Sequence, residues 1–413
     1  MKLVNNATHP IKTQRFRSLF IVGALGLSAL FAAPVTVHDG YVDFSRGEAA
    51  TLGETTENNP AANLRVASAK EGTSFSSSIE RVNDFMAVLD PPDVFLGIYT
   101  SASLQVSAKE IGQVDQWMRT NGLTTRVAIA GTFMDIEFPN PEWNIPHDLD
   151  AAWSEGALPF VNLAVGTTSL GTRTAYDVAS GVLDDAIRAW ASVYADWSQG
   201  GERRAFIAPL QEMNTGWVSY GLDPENFKLA YARIRQIFLE EGVLESAVLW
   251  VFAPNGWSLP GHEFERYYPG DSAVDVVGFS AFNFGACALS GVGWDPYEVS
   301  IRPYLERMRT LAPDKSIFLA QTGTVAQGGD KSFWLRESFD KIADFPMAQA
   351  IIYFNLSKVE PGASYCNPVD WRVYNPERNT GDSGFLDALR SFENPRNGSE
   401  TLHQVLLPLV ASH

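Results

Sequence analysis

The stretch Ala205–Gly221, AFIAPLQEMNTGWVSYG, holds residue types that can do chemistry. It starts as a short apolar run that reads as a buried strand. It ends abruptly in Gln211-Glu212-Met213-Asn214, with Trp217 and Tyr220 close behind. A carboxylate can give up and recover a proton, amides can pair with hydroxyl groups, and indole faces can stack on an apolar ring surface. A buried parallel strand ending in such residues is how a barrel presents chemistry at its mouth. Taken alone, the stretch reads equally as a solvated loop carboxylate beside core aromatics.

The elements that must position these residues are legible in the apolar runs. Strand-like segments fall at Val94–Tyr99, Arg126–Thr132, Leu158–Val165, Ala205–Leu210, Ala247–Phe252, Val274–Ala281, Ser316–Ala320 and Ala350–Phe354. Between them lie segments with helical apolar spacing: Ala108–Thr120, Leu149–Gly156, Ala175–Trp197, Pro224–Gly242, Ile301–Leu311 and Lys331–Ala343, with a last helix at Phe385–Phe392. Pro near the start and Gly just past the end of the Pro224 helix follow capping preference. Strict alternation favours a parallel sheet, and eight units favour closure into a (β/α)8 TIM barrel, an α/β fold. An open doubly wound sheet is the rival, but no Gly-rich phosphate turn follows any strand.

In a barrel the strand C-termini share one mouth. They bring together Tyr99, Asp135 and Glu137, then Gln211, Glu212, Asn214 and Trp217. Asn255 and Trp257 follow strand five, Phe282, Asn283 and Phe284 strand six, Gln321 and Thr322 strand seven, and Asn355 strand eight, with Trp371 further out. Aromatic faces interleaved with amides and carboxylates suit a sugar, whose apolar face stacks while its hydroxyls need partners. Packing alone also puts aromatics on barrel rims.

Composition bounds the partners. The chain has 413 residues, 45% of them hydrophobic, and a formal charge of −17. Residues 1–33 carry Lys2, Lys12, Arg15 and Arg17 and no acid, and end in the uncharged run Leu19–Ala33. They read as a secretory signal, or as an uncleaved N-terminal membrane anchor because Pro34 spoils the cleavage site after Ala32-Ala33. The expectation is a secreted or anchored protein. Without those four positive charges the −17 becomes −21, so nucleic acid is not an expected partner. Residues 34–90 are polar and read as a linker and irregular N-terminal wrap, 91–393 as the barrel, and 394–413 as a tail. Cys287 and Cys366, the two cysteines, read as one disulfide in an exported chain, or else as two buried thiols. No motif calls for a metal or cofactor.

Several motifs in order carry a resemblance. Leu210-Gln211-Glu212-Met213-Asn214-Thr215-Gly216-Trp217 resembles the acid/base segment of glycoside hydrolase family 26, whose best-known members are β-mannanases. The likeness continues through Val251–Asn255 (VFAPN), Tyr267–Asp271 (YYPGD), Val276–Phe284 (VVGFSAFNF), Ile317–Lys331 and Asp370-Trp371-Arg372. It implies Glu212 as general acid/base, with a mannan-type polysaccharide held by Gln211, Asn214, Trp217, Trp257, Phe282, Asn283, Phe284 and Trp371. It also implies three departures. Gln211 stands where the family has histidine, Phe282 where it commonly has tyrosine, and Gln321 where it has the nucleophilic glutamate.

A retaining glycosidase needs a second carboxylate about 5–5.5 Å from the acid/base, and a neutral amide carries no charge to oppose an oxocarbenium ion. Three readings follow. In the first, the chain is an O-glycosyl hydrolase with weakened machinery, in which Asp135, Glu137 or Asp330 stands in for the missing carboxylate. In the second it binds polysaccharide without cutting it. In the third the cleft is vestigial and the barrel is a scaffold.

Overall fold

The computed structural model describes residues 78–86, 94–100, 105–167, 172–288, 293–360 and 366–393. Residues 1–33, read above as an export segment or anchor, most of the 34–90 stretch and the 394–413 tail lie outside the described residues. In chain order the elements begin with helix α1 (Ser78–Met86), β1 (Phe95–Tyr99), α2 (Ala108–Thr120), β2 (Val127–Asp135), α3 (Pro141–Ser154) and β3 (Leu158–Ala164). Then come α4 (Ala175–Ala179), α5 (Asp184–Ser198), β4 (Ala205–Pro209), α6 (Pro224–Glu240), β5 (Val248–Phe252) and β6 (Val276–Asn283). The order closes with α7 (Tyr297–Ser300), α8 (Arg302–Leu311), β7 (Ser316–Thr324), α9 (Lys331–Ala343), β8 (Ala348–Phe354) and, after short ladders in the last loops, α10 (Ser383–Glu393).

Strands β1 to β8 pair in sequence order, all parallel, and β1 pairs with β8 to close the barrel. The alternating side-chain period sends one half of each strand inward and the other toward the helices. Phe95, Phe160, Phe206, Leu249, Val276, Phe318 and Ile352 fill the interior with Tyr99 and Phe354. Leu96, Val161, Ile207, Val277, Leu319 and Ile351 face the surrounding helices.

Besides α3, which begins at Pro141 rather than Leu149, three elements differ from the sequence expectation. First, the end of the polar N-terminal stretch is helical. The apolar side chains Val82, Phe85 and Met86 of α1 pack on the inner cluster, with Phe85 5.2 Å from Phe206. Arg81 pairs with Asp275 and Arg204 with the carbonyl oxygens of Asp84 and Phe85, so α1 stoppers the N-terminal end of the barrel. Second, the expected long helix from Ala175 is two. Gly181 sits at φ +88°, outside helical backbone, after a Thr174/Asp177 capping box has started the first piece. Third, β7 runs four residues past its apolar run, through Gln321 to Thr324, because β6 pairs with it to Asn283↔Thr324.

Cys287 and Cys366 form a disulfide that ties the loop after β6 to the loop after β8, across the end of β7. The closed loop spans 79 residues, and cross-linking a loop of that size removes roughly 4 kcal/mol of unfolded-state freedom. The double variant Cys287→Ser/Cys366→Ser should therefore lose stability on that scale in urea unfolding, and reduction of the native chain should reproduce the loss.

Candidate active site at the barrel mouth

Glu212 does not continue β4. The chain turns so sharply after Pro209 that Leu210 (φ 51°) and Glu212 (φ 57°) both take the left-handed conformation. Each costs on the order of 1–2 kcal/mol for a non-glycine residue. The surroundings hold the turn. Leu210 N–H donates to Leu163 O (2.7 Å) and Glu212 N–H to Ala253 O (2.9 Å). The Thr215 hydroxyl donates to Glu212 O (2.6 Å) and the Tyr220 hydroxyl to Gln211 O (3.0 Å). Strained backbone held this firmly is a feature of functional sites.

Both carboxylate oxygens of Glu212 accept N–H groups: Asn255 Nδ2 on Oε1 (3.0 Å) and Trp217 Nε1 on Oε2 (2.8 Å). Asn255 is itself fixed by Asn214. The Asn214 amide donates to Asn255 O (2.8 Å), Trp257 O (3.1 Å) and Ser258 Oγ (2.8 Å), and its Oδ1 accepts Asn255 N–H (2.9 Å). The rings of Trp217 and Trp257 stack at 6.1 Å and 13°, with 39% and 50% of their surfaces exposed. A broad aromatic face thus stands open beside the carboxylate.

Register carries the rim from Glu212 to Gln321. Asn255 bridges Ser280 on β6, and Ser280 pairs with Gln321 on β7. A bulge between Phe279 and Ser280 shifts the β6–β7 register, so that Phe279↔Leu319 face the helices while Ser280↔Gln321 and Phe282↔Gly323 face inward. Gln321 is buried, and its side-chain amide makes no hydrogen bond within the protein among the described residues. Tyr99 ties the two sides together. Its hydroxyl donates to Ala320 O (3.1 Å), next to Gln321, and accepts from Asn162 Nδ2 (2.8 Å). Burial pushes the Tyr99 hydroxyl far above its ordinary pKa, the Asn162 bond opposes this, and the charge of Glu212 adds to it.

The remaining wall is aromatic. Phe282 lies 5.4 Å from Phe354 and 5.6 Å from Trp371, and Phe284 5.4 Å from Trp371. Trp371 packs directly over Gly323, where a Cβ would stand 3.0 Å from its Cδ1. Its loop is pinned by the Tyr353 hydroxyl on Trp371 O (2.8 Å) and by Lys331 Nζ on the carbonyl oxygens of Trp371 (3.0 Å) and Arg372 (2.9 Å).

Other rim residues serve the scaffold. Asn283 Oδ1 accepts Gly285 N–H and Asp295 N–H, and its Nδ2 donates to Thr324. Asn355 joins Glu110 to Tyr374, and the Thr322 hydroxyl donates to Ala281 O. Asp135 accepts the backbone N–H groups of Glu137 and Thr167 and the Thr167 hydroxyl. Glu137 is held by Arg173 through two bonds of 2.8 Å, and Asp330 caps α9 at Phe333 N–H. Each carboxylate named as a stand-in is thus occupied. Gln211 is buried with its Oε1 unpartnered, as are Asn162 Oδ1 and Ser280 Oγ. Sequence reasoning passed over Asn162, Ser280 and Lys331. A lone amide inside LPFVNLAV was the one visible signal, because a polar side chain within a buried strand has to face something.

Two measurements probe this scaffold. Asn214→Ala leaves part-buried polar groups of residues 255–258 without their partner, so it should cost roughly 2 kcal/mol in urea unfolding. Burial lowers the Lys331 amine from 10.5 to about 8, against the raising influence of Asp382 and Asp370. A base with a depressed folded pKa binds fewer protons folded than unfolded between those values. Its full stability is therefore reached above pH 10.5 and lost as pH falls through about 8. The melting temperature of the native chain relative to Lys331→Met should rise between pH 8 and pH 10.5.

The model of glycosyl hydrolase family 26 matches residues 150–294. Endoglucanase H of Acetivibrio thermocellus is 24% identical over 185 residues, which are 41% of this chain and 19% of that protein. Mannan endo-1,4-beta-mannosidase of Bacillus subtilis strain 168 is 26% identical over 168 residues, 35% of this chain and 45% of that protein. The chain spans less than half the length of these curated relatives. Among solved structures, the catalytic domain of the endo-beta-1,4-mannanase of Bacillus sp. JAMB-750 superposes with a TM-score of 0.51 at 15% identity, over 77% of this chain and 90% of that one. A broad specificity endoglucanase of Clostridium longisporum superposes at 0.54 and 10% identity, over 78% and 99%. Both share the fold. Residues 150–294, the segment that carries Glu212, Asn214, Trp217, Asn255, Trp257 and Phe282, are therefore the part of this chain that is similar to glycosyl hydrolase family 26.

Proposed function

We propose that this chain is an exported polysaccharide-active protein that holds a β-mannan-type chain across the barrel mouth, with Glu212 as general acid/base. One observation carries the reading: Glu212 is clamped between Asn255 and Trp217 at the edge of an exposed Trp217–Trp257 face. Sugar rings stack on such a face, and the neighbouring carboxylate reaches the glycosidic oxygen. The mannanase names of the relatives point to the same ligand class. The N-terminal basic and apolar segment supports export or membrane anchoring.

Gln321 in the nucleophile position leaves retaining hydrolysis weak or absent, because an amide neither attacks the anomeric carbon nor opposes its positive charge. Its neutral, unpartnered amide favours a second reading, in which the mouth binds polysaccharide without cutting it.

Calorimetric titration with mannan oligosaccharides tests the ligand class, and absence of heat would sink it. Gln321→Glu should raise mannan hydrolysis by orders of magnitude. Slow sugar release by the native chain that disappears in Glu212→Ala would rule out the purely binding protein.

A further inference from the structure

On the reading above, Glu212 is the proton-transfer carboxylate of the mouth and an amide, Gln321, stands in the nucleophile position. One known route to glycoside cleavage needs only that much from the protein, because the substrate brings its own nucleophile. We propose that this site hydrolyses glycans whose reacting sugar carries a 2-acetamido group, with Glu212 as acid/base and Gln321 orienting the acetamido. The proposal goes beyond the mannan reading and rests on the same rim shared by Glu212 and Gln321.

Four observations carry it. Gln321 faces inward by register, 5% exposed, with a side-chain amide that makes no hydrogen bond among the described residues. Its Oε1 can accept the acetamido N–H, which aims the acetamido carbonyl at the anomeric carbon. Ser280, its register neighbour, is fully buried with an unpartnered Oγ, so the slot holds more polar capacity than the protein satisfies. Phe282, Phe354 and Trp371 stand beside that slot, with Gly323 letting Trp371 close in, and an acetamido methyl needs such an apolar wall. Finally, Asp135, Glu137 and Asp330 are each held by other protein groups and leave no ready carboxylate substitute among those three.

The steps balance without a further reagent. The acetamido carbonyl oxygen bonds to C1 as the C1–O bond to the leaving group breaks. The departing oxygen keeps the electron pair and takes the proton of Glu212. The resulting oxazolinium spreads its positive charge over N, C and O and donates its N–H to Gln321. Water then attacks C1 and gives a proton to Glu212 as the bond between C1 and the acetamido oxygen breaks, and the acetamido is restored. One water is consumed and the anomeric configuration is retained.

The test uses the full chain with 4-methylumbelliferyl di-N-acetyl-β-chitobioside and its fluoroacetyl analogues. Release should fall more than about tenfold from acetyl to trifluoroacetyl, because fluorine weakens the attacking carbonyl. Glu212→Gln should abolish release. Gln321→Leu should lower kcat roughly a hundredfold with little change in KM. No release over days, or equal rates across the fluoroacetyl series, would overturn the proposal. So would undiminished release in Gln321→Leu. The fluoroacetyl comparison needs only the native chain and stands if a variant misfolds. Turnover without any mannan binding would remove the mannan reading alone, whereas loss of both activities would remove the shared rim itself.

Discussion

The hydrogen bond from Asn255 Nδ2 to Glu212 Oε1 is the constraint on which the rest of the mouth depends. It joins a side chain after β4 to one after β5, and Asn255 in turn meets β6 through Ser280, the register partner of Gln321. A carboxylate and an amide that stand 109 residues apart in sequence thereby share one rim. Asn214 is the keystone beneath, since its single buried amide meets the backbone of Asn255 and Trp257 together with Ser258. The left-handed backbone at Glu212 is tolerable because these bonds over-determine it.

A second set of fasteners fixes the opposite wall. The disulfide, Lys331 and the Tyr353 hydroxyl all act on the loops that bring Trp371 over Gly323. They come from different elements and use different chemistry, so the wall does not hang on one contact. A charged amine buried to hold carbonyl oxygens carries a desolvation cost, which its lowered pKa records. That cost is borne at the edge of the candidate site, where the position of Trp371 shapes the space next to Gln321.

The barrel was legible because each of its strands contains an apolar run bounded by polar or Gly-rich segments. What stayed hidden was non-local. The last four residues of β7, Gln321-Thr322-Gly323-Thr324, have no apolar run, and only pairing with β6 makes them strand. Helix α1 is short and charged, and its apolar face has meaning only against the barrel floor. The break at Gly181 was masked by continuous apolar spacing on either side. At the site, residue types pointed to Glu212, Trp217, Asn255 and Gln321. That Asn255 holds Glu212, or that Asp135 and Glu137 are tied to Thr167 and Arg173, are facts of distance that no spacing rule contains.

Those ties bear on the chemistry. An inverting route would need a second carboxylate free to activate water, and the rim carboxylates at Asp135 and Glu137 each bind backbone or a guanidinium through both oxygens. Freeing Asp135 would leave the part-buried N–H groups of Glu137 and Thr167 without their acceptor, and freeing Glu137 would take from Arg173 the carboxylate that holds it. Moving charge into the mouth from the scaffold is therefore expensive, whereas a substrate that carries its own nucleophile needs only an acceptor for its N–H. An unpartnered amide beside an unpartnered serine hydroxyl is an arrangement with that acceptor to offer. On the proposed reading, glutamine at position 321 asks of the ligand a group that can be held rather than a ring that must be attacked.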